Sequence, residues 1–179
     1  MTGSGRLPPF AEKLLLVGLG FVAVLAALIP LEPGGELVAP DLLYALMIGW
    51  VIRRPGSTPL WAAPLLGLFA DVMLSRPLGL GALGLMFATE AFRSRARLFH
   101  GSPFVIEWLA ATVVFAAVLG AMQLILTILV AHPPGFGPLS RHLLATALAY
   151  PLVVLGLTWC LRLRAPQAQA FGNPLGRLR

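Results

Sequence analysis

The chain has 179 residues, of which 58% are hydrophobic and 11% charged, and its mean hydropathy is +0.87. That composition excludes an ordinary soluble domain and a disordered chain, and it marks a polytopic membrane protein. The net charge of +6 does not argue for nucleic acid, because the basic residues lie in connections and tails between apolar runs, where arginine sets membrane orientation.

Residues 1–13 are short, polar and positive through Arg6 and Lys13. Residues 14–31 are apolar throughout, too long for the core of a secretory signal and followed by more apolar segments, so they read as an uncleaved first transmembrane helix. The next connection carries Glu32 and Glu36 and no base. A second span starts at Pro40-Asp41 and runs to Ile52. Proline suits a helix's first turn, and Asp41 either serves the positive end of that helix or contacts another span. Arg53-Arg54-Pro55-Gly56-Ser57 ends the helix sharply, and Thr58-Pro59 has the cap and first-turn chemistry to start the third span.

The apolar run from Leu60 to Ala88 is interrupted only by Asp71 and Arg76 with their small polar neighbours. A carboxylate in such a segment is costly and is normally turned inward. At 1.5 Å per residue, residues 60–74 reach roughly 22 Å and residues 78–92 a similar distance, against a hydrocarbon core of about 30 Å. The run therefore predicts a helical hairpin whose tip, Ser75-Arg76-Pro77-Leu78-Gly79, lies at or just below the far membrane surface. Pro77 cannot continue a helix, and Gly79, Gly81 and Gly84 permit close backbone approach. Ala63 and Gly67 share one helix face with Asp71, and Ser75 continues that row, so the acid sits on the face a neighbouring helix approaches most closely. Asp71 and Arg76 would pair only if the helix ended near Leu74.

The fourth span ends at Glu90 to Phe92, and Arg93, Arg95 and Arg97 follow; Glu90 with Arg93 reads as an ordinary surface pair. Ser102-Pro103 opens a long fifth span, residues 104–130, which should tilt. Glu107 lies one turn in, near the interface. Ala116 and Gly120 form a second small-residue row suited to helix contact, with Gln123 a weaker polar handle. His132-Pro133-Pro134-Gly135-Phe136-Gly137-Pro138 reads as a stiff, non-helical loop, and Ser140 as the cap of a sixth span, residues 143–161. The tail, residues 162–179, reads as flexible and basic, near an anionic leaflet. The chain thus divides into a cytoplasmic N-terminus (1–13), a six-span membrane domain (14–161) and a basic cytoplasmic tail.

Orientation follows from the bases. Arg6, Lys13, Arg53, Arg54, Arg93, Arg95, Arg97 and the tail arginines fall on one side, leaving only Arg76 and Arg141 on the other. This asymmetry places both termini in the cytoplasm. The single cysteine, Cys160, allows no disulfide within one chain, and His100, His132 and His142 fall in connections without metal-ligand spacing, so neither a metal nor a cofactor is expected. No nucleophile, base and acid set or paired carboxylates on one face suggests catalysis. Asp41, Asp71, Ser75 and Arg76, which could meet near the outer leaflet, either hold the hairpin in register or form a site for a lipid head-group or small ligand.

Pro40-Asp41-Leu42-Leu43, Trp50, Arg53-Arg54-Pro55, Gly67-Leu68-Phe69-Ala70-Asp71 and Arg76-Pro77-Leu78-Gly79 together resemble the rod shape-determining MreD family. The likeness covers roughly residues 14–161, and carries over Asp41, Arg53, Arg54, Asp71, Pro77 and Gly79. It implies an all-α, six-helix bundle similar to the substrate-binding subunits of energy-coupling-factor transporters, with an outward-facing pocket. It also implies a non-enzymatic member of the cell-elongation machinery in the bacterial inner membrane, with MreC, MreB, RodA and a class B penicillin-binding protein as partners. The rival readings are a small transporter or lipid-binding subunit using a pocket near Asp71 and, more remotely, a membrane-embedded enzyme acting on lipid-linked intermediates.

Overall fold

The computed structural model describes residues 8–29, 39–99, 101–129 and 135–159, which form six α-helices and two short 3-10 turns. Arg6, Glu32, Glu36, His100, His132, Cys160 and the basic tail lie outside the described residues. Among the described residues, three helices are long and apolar enough to cross a membrane: Phe10–Ala27 within α1, Phe104–Leu129 (α5) and Phe136–Trp159 (α6).

Helix α1 (Pro9–Ala27) begins earlier than its apolar run. Pro9 is pre-set for a first turn, and Glu12 is favoured at the positive end, so Phe10 to Lys13 join the helix instead of forming a polar lead-in. The Glu12 carboxylate is buried and accepts a hydrogen bond from the Ser57 hydroxyl.

Helix α2 (Leu42–Arg53) is the axis of the bundle. It is apolar around its whole circumference, the mark of a buried helix, and every residue from Leu43 to Arg53 is buried. It packs against α1, α4 and α6. Thr58, expected to cap α3, instead donates its hydroxyl to the Arg54 carbonyl (3.1 Å), and a 3-10 turn at Pro55–Ser57 intervenes. Helix α3 (Ala62–Met73) consequently starts three residues after Pro59, with no side-chain cap.

Helices α3 and α4 (Leu80–Ser94) form the expected hairpin. A Cβ at Gly67 would collide with the Ala82 backbone, so the glycine sets how closely the two helices approach. Ser75 does not continue the Ala63, Gly67, Asp71 row. The helix has ended at Met73, and Ser75 is exposed with a positive φ of 52°.

Helix α6 departs furthest from expectation. It begins at Phe136, so Phe136, Gly137 and Pro138 are its first turn and not a loop. Proline lacks only an N–H that a first turn leaves unpaired. Ser140 lies inside the helix and donates to the Gly137 carbonyl. Further along, Pro151 interrupts the hydrogen-bond ladder and would leave the Ala147 carbonyl without its helical donor. Trp108 of α5 supplies the replacement through Nε1, at 2.8 Å, which is how membrane helices tolerate internal proline.

Trp108→Phe should therefore destabilise the protein by about 1–3 kcal/mol. The same change should cost less in a Pro151→Ala background, where the ladder bond is restored. Unfolding in detergent would measure both, and equal costs in the two backgrounds would show that Trp108 is not compensating for Pro151.

Candidate functional site

Two polar layers cross the apolar bundle, one at each end of α2. At its start, Asp41 is the N-cap, and its Oδ1 accepts from the Tyr44 amide at 2.9 Å. Its Oδ2 lies 3.2 Å from Arg76 Nη1, so Asp41 serves both the helix dipole and another segment. The Asp41 amide donates to Thr146 Oγ1 of α6 at 2.9 Å.

Asp71 is 1% exposed. Its Oδ2 accepts from the backbone amides of Gly79 (2.9 Å) and Ala82 (3.2 Å). These are the N-cap and third residues of α4, so an acid near the end of one helix caps the start of the next. Gly79 takes φ 87°, a left-handed conformation suited to glycine, in the turn where its amide meets the carboxylate. Gly81 is needed for a different reason, since a Cβ there would overlap Asp71 Oδ1.

Helix α3 does end at Met73, the condition for an Asp71–Arg76 pair, yet the two side chains take different partners. The Arg76 amide bonds the Asp71 carbonyl at 2.9 Å, closing the end of α3, while its guanidinium pairs with Asp41. The Pro77 carbonyl accepts from Leu80 in the turn into α4.

These groups surround a cavity of about 250 Å³ whose walls draw on all six helices, including Val24, Leu43, Leu85, Phe115 and Met122 beside Asp41, Asp71 and Arg76. His142, assigned by sequence to a connection, is part of α6 and of this wall. Its Nδ1 lies 2.9 Å from the Ala39 carbonyl.

At the other end of α2, Arg53 is no loop arginine. It occupies the helix's last turn, is 4% exposed, and forms a two-pronged ion pair with Glu107 of α5 at 2.8 and 3.3 Å. Tyr150 of α6 donates to the same carboxylate at 2.7 Å. Glu107, expected near the interface, is therefore buried and tied to α2 and α6. Of the other arginines assigned to the cytoplasmic face, Arg54 is half-buried, Arg93 pairs with Glu90 (3.3 Å) as expected, and Arg95 and Arg97 are exposed. The two small-residue rows also diverge. Ala63 and Gly67 are buried within the bundle, whereas Gly120 is exposed with open space where a Cβ would be, beside a half-buried Ala116.

A family model described as rod shape-determining protein MreD matches residues 10–159. The chain belongs to the MreD family. No curated protein and no solved structure matches it. Membership joins the three long apolar helices in identifying an integral membrane protein of a structural, shape-determining family. The matched segment runs from the first turn of α1 to the last residue of α6, so both polar layers and the cavity belong to the MreD portion.

Two stability tests follow. Asp71→Ala should cost about 2–3 kcal/mol through loss of the α4 cap. Gly81→Ala displaces the same carboxylate, so the double variant should cost clearly less than the sum of the singles; additive losses would refute a shared cap. At the second layer, Glu107→Ala strands the Arg53 guanidinium and should cost about 3–5 kcal/mol, whereas Arg53→Met with Glu107→Met should recover most of it. A double variant as unstable as Glu107→Ala would mean that the charges themselves hold the helices together.

Proposed function

We propose that this MreD protein is a non-enzymatic, six-span scaffold of the cell-elongation machinery in the bacterial inner membrane, with both termini cytoplasmic. On this reading it docks the membrane helix of MreC, and with it RodA, a class B penicillin-binding protein and MreB. The short helices α2, α3 and α4 would be the remaining spans of a bundle built like the substrate-binding subunits of energy-coupling-factor transporters, with residues 1–13 and 162–179 flanking the membrane domain.

The observation that carries the docking is the fate of the small residues. In the hairpin, Gly67 is filled by Ala82 of the same chain. On α5, Ala116 and Gly120 instead line an open groove with Phe136, Leu139 and Leu143 of α6. Small residues four apart allow two membrane helices to approach closely, and here the second helix is not supplied from within the described residues. The Asp71 hairpin supports this function by fixing the bundle that presents the groove.

Gly120→Leu tests the reading without endangering the fold, because no atom stands where the new side chain would begin. Co-purification of MreC should fall by about tenfold or more, roughly the 1.4 kcal/mol of a blocked close contact. Gly18→Leu, on α1 and equally unobstructed, should leave MreC recovery unchanged. Wild-type recovery with Gly120→Leu would remove this groove from the interface. Normal MreC recovery together with loss of solute binding in Asp71→Asn would favour the transporter reading of the hairpin.

A further inference from the structure

The cavity above α2 has a structural cause. α2 is a 12-residue helix of about 18 Å, whereas α5 has 26 residues and reaches about 39 Å. Tyr44, one turn into α2, donates to the Ala111 carbonyl and packs at a tilt against the Phe115 ring. Beyond that level α5 continues through Val118 and Met122 with no α2 beside it, and there the cavity opens.

Its polar groups nearly neutralise one another. Two helix N-termini, of α2 and α4, point towards it with about half a positive charge each, and each is answered by a carboxylate. Arg76 offsets most of the remaining negative charge. Arg76 uses only Nη1 in its ion pair with Asp41. Its other N–H groups have no partner among the described residues, and the side chain is 37% exposed. Asp71 Oδ1, against Gly81 in the same wall, is buried with no hydrogen-bond partner among the described residues.

From these features we infer that the cavity is a binding site for one phospholipid of zwitterionic, amine-bearing head-group. The phosphate takes the free edge of the Arg76 guanidinium, whose planar donors match phosphate oxygens. The ammonium lies towards the partly exposed carboxylate of Asp41, and part of one acyl chain enters the apolar interior. The volume of about 250 Å³ holds about eight groups the size of water, enough for the first part of a chain and not for a whole lipid. The near-neutral wall selects against a lipid with net negative charge. This site does not depend on MreC docking.

The test uses full-length protein, with lipid retention followed by native mass spectrometry as phosphatidylethanolamine, phosphatidylglycerol or inorganic phosphate is added. One phosphatidylethanolamine should be retained saturably and in preference to phosphatidylglycerol, and phosphate should not compete. Arg76→Gln and the cavity-filling Ala23→Phe should each weaken retention about tenfold. Arg95→Gln, an exposed arginine whose guanidinium bonds the Ala91 carbonyl of α4, should not. Should Ala23→Phe fail to fold, Ala27→Phe fills the same cavity from the last turn of α1. The proposal is overturned if Arg76→Gln and the filled cavity retain lipid like wild type, if phosphatidylglycerol is preferred, or if phosphate alone displaces the lipid. Loss of the lipid site with MreC recovery intact would leave the scaffold reading standing.

Discussion

The bundle depends on a carboxylate at the end of one helix serving as the cap of the next. In a water-poor interior, the first amides of a helix need an acceptor, and a buried carboxylate needs donors. Asp71 Oδ2 and the first amides of α4 answer one another. The arrangement allows a tight hairpin of two short helices. It demands Gly79 for backbone direction and Gly81 for space, and it releases Arg76 from the acid nearest it in sequence. Arg76 then reaches Asp41, itself the cap of α2, so the hairpin tip and the central helix are joined by one ion pair.

At its opposite end α2 is fixed by a different device. Arg53, Glu107 and Tyr150 bring α2, α5 and α6 together inside the bundle. Buried ion pairs contribute little net stability but are costly to break, so this cluster specifies which helices meet more than it strengthens their contact. Between the two layers α2 is fully buried, and apolar packing alone suffices there. Beyond the start of α2, where the longer helices continue, the described residues leave a cavity.

Much of this was legible in the residues. The run around Asp71, too long for one span and too short for two, pointed to a hairpin. Its row of small residues pointed to close helix contact, and its glycines to tight backbone approach. The identity of Asp71's partners was not legible, because backbone amides leave no trace in sequence. Arg53 and Glu107 were misplaced for a related reason. Each sits near the end of an apolar run, where a charge can reach water, and nothing local shows that the two meet across 54 positions. The start of α6 was hidden by the turn chemistry of residues 132–138, which competes with the tolerance of a helix's first turn for proline. Pro151 did carry a readable signal: a proline inside a membrane helix frees a carbonyl, and a tryptophan on a neighbouring span is a suitable donor.

The relation between Asp71 and α4 can be measured directly by amide hydrogen exchange in detergent or nanodiscs, comparing wild type with Asp71→Leu. In wild type the Gly79 and Ala82 amides should exchange slowly. In the variant both should lose protection, while amides in the body of α4, such as those of Ala88 and Thr89, keep theirs. Unchanged protection at Gly79 and Ala82 would show that the acid does not hold the start of α4, and the account of the hairpin would fail with it.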